Sequence, residues 1–286
     1  MRTAALCAML AAAPVSPIGK AQAPSPGIEI AVQARAIQPG ELVILTITTP
    51  DPASSLRVRA FDRDVTAFQI DARTWRVLVG IDLDVAPGPH GVTIDAPAAH
   101  TTHTLTVTSR AFPTRTLTVD EAFVNPPARV QARIAAEAQE LARIWTESST
   151  TRLWAGTFVK PVPQEANSAF GTRSIYNGQA RSPHGGADFA SPAGTPILAP
   201  NAGRVVLAKD LYYTGGTVII DHGLGLISLF AHLPAIAAKP GETVATSAVA
   251  GRVGATGRVT GAHLHWTVRV NGARIDPMAL LAVLGR

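Results

Sequence analysis

The sequence predicts a mainly β protein, built as two β units joined by a helix. Three observations point there. Short runs rich in Val, Ile, Leu and Thr recur between Pro, Gly and Asp turns, one central stretch carries apolar residues at helical spacing, and strand-like runs broken by Gly-rich turns continue almost to the C-terminus. At 286 residues there is room for two compact domains. Hydrophobic residues make up 47% and charged residues 16%, which excludes a disordered or collagen-like chain.

The first segment, MRTAALCAMLAAAPVS, has one basic residue followed by small apolar ones, the pattern of an export signal. Ala21-Gln22-Ala23 offers a cleavage pattern, so residues 1-23 are read as a signal peptide, too short to span a membrane. The expected location is therefore periplasmic or extracellular. Cys7 is the sole cysteine, so an internal disulfide or a cysteine-rich metal site is excluded. Leu6 stands where a lipid-attachment motif wants a small residue.

Residues 28-110 carry the runs IEIAVQA, LVILTITT, LRVRAF, TWRVLVGI, GVTID and HTLTVTS, whose spacing suggests an immunoglobulin-like β-sandwich. Residues 111-155 form a linker with a helix at about 126-148. Its apolar face includes Val130, Ile134, Leu141 and Ile144, and Asn125 is placed to cap it before two prolines. Residues 156-286 return to strands in TPILAP, GRVVLAKD, GTVIIDHG, LISLFAHL and LHWTVRVNG, with no convincing helix before the last ten residues, so this domain is expected to be antiparallel β. No repeat at a fixed period is present.

Charge is distributed unevenly. Residues 1-110 and 111-155 are each neutral, whereas residues 156-286 hold 11 Lys/Arg against 6 Asp/Glu. The C-terminal domain is therefore suited to an anionic partner. Nucleic acid is not expected, because the basic residues are scattered, without runs or interleaved aromatics.

Five histidines, His184, His222, His232, His263 and His265, fall in that domain, along with the candidate carboxylate Asp188. If HLHWTV is a strand, His263 and His265 at i and i+2 project from one face. In SPHGGADFASP, two glycines and an alanine separate His184 from Asp188 and let the backbone turn tightly. His232 ends the apolar run LISLFAHL. A catalytic Zn²⁺ takes three protein ligands and keeps one position open. Two histidines and one carboxylate would satisfy it, leaving two histidines for acid-base work.

HGGADFASPAGTPILAPNAGRVV, GTVIIDHGLGLISLFAHL and GATGRVTGAHLHWTVRVNGARIDPMALL, in that order, resemble the motifs of the lysostaphin/LytM-type zinc metallopeptidases over roughly residues 170-281. The resemblance implies an antiparallel β catalytic domain of that type, one Zn²⁺ per chain and a zinc-dependent endopeptidase acting on peptidoglycan. It assigns His184, Asp188 and His265 as metal ligands and His232 and His263 as catalytic groups. Two departures are visible: Ala262 replaces a frequent proline, and Trp266-Thr267 replace a frequent aromatic-glutamate pair. Neither is expected to touch the ligands. A transition-state tyrosine is often present in such enzymes, and none of Tyr176, Tyr212 and Tyr213 is assigned to that place.

His222 is expected in a structural or outer-shell role. His100 and His103 would point to opposite faces of a strand, and His90, after Pro-Gly-Pro, is expected in a turn. GRVGATGRVTG lacks the spacing and the Lys-Ser/Thr pair of a phosphate loop. Two other functions share parts of this pattern: a non-catalytic activator of other wall hydrolases, as in relatives lacking the ligands, and a secreted peptidase acting on proteins. The sandwich could be a spacer, a wall-binding module or a cover for the zinc groove. A monomer without an integral membrane span is expected.

Overall fold

The structure is a computed structural model that describes residues 27-119, 121-167 and 170-285. The predicted signal segment and Cys7 lie outside the described residues. Eight strands come first: β1 (Glu29–Ala34), β2 (Leu42–Thr48), β3 (Arg57–Ala60), β4 (Arg63–Val65), β5 (Ala67–Gln69), β6 (Thr74–Gly80), β7 (Gly88–Ala96) and β8 (Ala99–Val107). They form two four-stranded sheets, ordered β1-β2-β6-β5 and β4-β3-β7-β8. Val43, Leu45, Ile47, Val77 and Val79 meet Val58, Ile94 and Leu105 in the core of this unit. The short β4 and β5 were not legible as runs, and His90 lies within β7 and not in a turn. Its ring sits 5.1 Å from that of Phe61.

The middle of the chain holds β9 (Thr114–Leu117), α1 (Glu121–Val124) and α2 (Ala128–Ile144). The expected Asn125 cap is not formed: the N-cap of α2 is Pro127, without a side-chain cap bond, and the Asn125 side-chain amide donates back to Glu121. Anchorage comes from elsewhere. Ile144, with Leu141 and Trp145 beside it, packs against Leu207, Ile219 and Leu229, while Glu137 accepts the Tyr212 N–H at 2.8 Å.

The remaining strands are β10 (Arg173–Tyr176), β11 (Gln179–Ala180), β12 (Gly186–Phe189), β13 (Pro196–Leu198), β14 (Gly203–Leu211), β15 (Gly215–Gly223), β16 (Leu226–Leu233), β17 (Thr243–Val244), β18 (Val249–Arg252), β19 (Leu264–Val270) and β20 (Ala273–Ile275), closed by α3 (Pro277–Leu284). The main sheet runs β12-β19-β16-β15-β14-β17, with β20 on β19, and every pairing in it is antiparallel. β15 and β16 are buried along their whole length. Their apolar runs, VII in β15 and LFA in β16, follow from cover on both faces: Val218, Ile220 and Phe230 enter the larger core, and Ile219, Leu229 and Ala231 face α2.

The two β units share a core. β2 and β6 direct alternate residues inward to the sandwich, whereas Leu42, Ile44 and Leu78 join the cluster containing Val270, Ile275 and Leu280. Polar bonds surround that contact. Arg35 and Arg110 bridge Glu41 to Asp276, Arg274 pairs with Asp82, and Asn271 Nδ2 donates to the Leu78 carbonyl at 2.9 Å. Among the described residues no helix is long and apolar enough to cross a membrane.

Candidate metal centre

β12 and β19 place the first two functional side chains. In their antiparallel register Asp188 lies opposite His265, so both project to one side. Gly186 makes this pairing possible: a Cβ there would lie 2.4 Å from the Trp266 carbonyl and 2.8 Å from the His265 ring. His184 enters just before β12, its backbone tied to Thr172 and Gly171 by hydrogen bonds of 2.9 and 2.8 Å.

Three ligand-capable atoms converge. His184 Nε2 lies 3.1 Å from Asp188 Oδ1 and 3.1 Å from His265 Nδ1, and His265 Nδ1 lies 2.8 Å from the same carboxylate oxygen. All three atoms fall within 4.8 Å of one another. Two imidazole nitrogens and one carboxylate oxygen aimed at one point need shared protons or a cation between them. That donor set suits Zn²⁺. Although burial pushes the Asp188 carboxyl up, its hydrogen bonds to His184 and His265 outweigh this and hold it well below the usual carboxylate range. Burial lowers the His265 imidazole.

His263 and His232 face the same groove. His263 Nε2 lies 3.7 Å from Asp188 Oδ1, and the His232 ring is 4.8 Å from that of His263 and 6.0 Å from that of His265. Both rings are held by backbone carbonyls: His232 Nδ1 donates to Thr256 at 2.9 Å, and His263 Nδ1 donates to Gly261 at 3.0 Å. In the neutral form of each ring, Nε2 therefore carries the lone pair. Burial, reinforced by neighbouring His265, pushes the His232 imidazole down to about 4. His232 also has a left-handed backbone, φ 71°, with its N–H on the Thr214 carbonyl at 2.8 Å. The turn beside it is tight, since a Cβ on Gly254 would lie 2.2 Å from the Pro234 ring and 2.9 Å from the His232 carbonyl.

The groove encloses about 870 Å³ and has contributors that sequence reasoning missed. Arg115, Leu117 and Val119 from the interdomain segment form part of its wall, because β9 pairs in parallel with β10. Tyr176 and Tyr213 also line it, and the Arg258 guanidinium sits over the Tyr213 ring at 4.4 Å. The expectation that Trp266 and Thr267 stay clear of the ligands fails for Thr267: its Oγ1 lies 2.9 Å from His265 Nε2. The i, i+2 relation that pairs His263 with His265 continues to Thr267 and predicts this contact.

The other histidines lie apart from this cluster. His222 is fully buried, with Nδ1 on the Ala202 carbonyl at 2.8 Å and Nε2 on Ser228 Oγ at 3.0 Å. His100 contacts the exposed Asp95 at 2.5 Å.

Part of the chain matches known proteins. Residues 182–277 match the profile of Peptidase family M23. Peptidoglycan DD-endopeptidase ShyA of Vibrio cholerae is 41% identical over 96 residues, 34% of this chain and 22% of the relative. DD-carboxypeptidase/endopeptidase Mpg of Neisseria meningitidis is 39% identical over 97 residues, again 34% of this chain and 22% of the relative. The chain thus spans about a fifth of the length of these curated relatives. A crystal structure of a Pseudomonas aeruginosa protein described as a peptidase M23 superposes with a TM-score of 0.70 at 32% identity, covering 88% of this chain and 97% of that one. Because that likeness extends through both β units, and the matched profile spans His184 to His265, the chain belongs to peptidase family M23.

Proposed function

We propose that this protein is an exported zinc-dependent endopeptidase that hydrolyses peptide bonds in bacterial peptidoglycan, holding one Zn²⁺ per chain and acting as a monomer. The observation that carries this reading is the convergence of His184 Nε2, Asp188 Oδ1 and His265 Nδ1 beneath a groove that also presents His232 and His263. His184, Asp188 and His265 would hold the ion. The chemistry such an ion supplies is to acidify water toward a pKa of ~7 and to polarise a carbonyl.

The chain's own groups handle the proton. His232, neutral through burial and turned by Thr256 so that Nε2 is unprotonated, is suited to take a proton from the attacking water. Once protonated, the same His232 nitrogen can return that proton to the leaving amine, while His263, whose Nδ1 is held by Gly261 and whose Nε2 stands across from Asp188, is suited to orient the water by accepting a hydrogen bond. The net positive charge of residues 156-286 favours an anionic polymer such as the cell wall. The names of ShyA, a peptidoglycan DD-endopeptidase, and Mpg, a DD-carboxypeptidase/endopeptidase, favour a peptide bond of peptidoglycan as the bond cut.

The test is metal content together with the products released from peptidoglycan, measured for the mature chain and for His184→Ala. Stoichiometric zinc with new peptide ends, both lost in the variant, is the expected result. Zinc without released peptides would point to a different peptide substrate, and a wild-type chain without zinc would favour a non-catalytic activator.

A further inference from the structure

A metal-binding imidazole has two nitrogens, and the partner of the second decides which tautomer the first presents. His265 directs Nδ1 to Asp188 and His184, at 2.8 and 3.1 Å. Among the described residues, the partner of its other nitrogen is Thr267 Oγ1, at 2.9 Å. Thr267 is 8% exposed and sits in β19 opposite Gly186 of β12 and Leu229 of β16. The ring is boxed in on the β12 side, where a Cβ at Gly186 would stand 2.8 Å from it. Rotation out of this setting is obstructed, and a buried Nε2–H without an acceptor would be costly.

We propose that Thr267 is a positioning residue whose hydroxyl accepts the Nε2–H of His265, so that the Nδ1 lone pair faces the point shared with Asp188 and His184. The inference rests on the zinc reading above and concerns affinity for the ion, before any substrate is bound. This accounts for a small polar residue here: it leaves the pairing of β12 and β19 undisturbed and still completes the hydrogen bonding of a buried ligand.

The experiment is a zinc competition titration against a chromophoric chelator at fixed pH, using the mature wild-type chain, Thr267→Val and Thr267→Ser, with metal-free thermal unfolding recorded beside it. Thr267→Val nearly preserves shape and removes the hydroxyl, so its zinc Kd is expected to rise about 10- to 100-fold. Thr267→Ser restores the acceptor and is expected to stay within about threefold of wild type, a rescue that general loss of packing would not produce. Should Thr267→Val fail to fold, Thr267→Ala, which also lacks the hydroxyl, is measured with the same expectation. A hydroxyl-free variant that holds zinc as tightly as wild type overturns the inference and leaves the zinc reading intact. Equal losses in the Val and Ser variants overturn it too. A wild-type chain that binds no zinc overturns both.

Discussion

Glu41→Gln tests whether the two β units stand or fall together. Glu41 is 2% exposed and accepts three bonds from two guanidinium groups: Arg35 Nη2 at 2.6 Å, Arg35 Nε at 3.1 Å and Arg110 Nη1 at 3.2 Å. The same arginines reach Asp276 Oδ2 at 2.9 and 3.1 Å, and Asp276 Oδ1 caps α3 by accepting the Met278 N–H at 3.0 Å. Burial pulls the Arg35 guanidinium down, yet its hydrogen bonds to Glu41 and Asp276 prevail and raise it. Glutamine keeps the shape and removes the charge, leaving two guanidinium groups to share one carboxylate. Breaking a fully buried pair costs about 3 to 5 kcal/mol. The side chains of Arg35 and Arg110 are 36% and 23% exposed, so water recovers part of the loss and we expect about 2 to 3 kcal/mol. The assay is thermal unfolding, in which that loss corresponds to a midpoint lower by roughly 4 to 10 °C. Because Leu42, Ile44 and Leu78 bind the sandwich into the larger core, unfolding should remain a single transition. A change below about 0.5 kcal/mol, in the range of an exposed ion pair, would refute the reasoning.

His232→Ala and His263→Ala should each retain zinc and slow turnover by ~10²- to 10⁴-fold, measured by metal analysis beside peptide release; loss of the metal would contradict their placement as groups that act on the water and its proton. Burial pushes the His222 imidazole down to about 4, below its ordinary ~6.5 in the unfolded chain. The unfolded state therefore binds more protons between those values, so the stability is fully present above about pH 6.5 and falls by up to ~3 kcal/mol as pH drops toward 4. Urea titrations from pH 7.5 to 4.5 should show a shallower decline for His222→Gln than for wild type. Gly80→Ala would bring a Cβ to 2.9 Å from the Ala273 side chain and 3.0 Å from the Val270 carbonyl. Overpacking at that junction of the two units should lower stability by about 1 to 3 kcal/mol in chemical denaturation.

The strands were legible where burial is one-sided or continuous. LVILTIT and LISLFAHL are predominantly apolar because both faces of β2 and β16 meet a core. The approach of His184 to Asp188 was legible because HGGAD is local, and that of His265 because alternation along a strand fixes its side. β9 was not legible: all of Thr114–Leu117 are exposed, and their partner is a parallel strand far along the chain, so no periodicity marks them. Tyr176, Tyr213 and Arg258 line the groove through the packing of separate loops and strands, which spacing does not encode. The Asn125 reading failed because Asn125 folds back onto Glu121, leaving Pro127 as the N-cap of α2.

The left-handed backbone of His232 has a consequence for anyone improving this protein. A non-glycine residue at φ 71° carries strain of order 1 kcal/mol. Glycine at 232 would relieve that strain, but it would also remove the bond to the Thr256 carbonyl and the packing of a residue that is 8% exposed. The exchange brings no net gain in durability. A library screened only for survival at high temperature should therefore keep histidine at 232 and find its heat resistance elsewhere, such as the seam between the two β units.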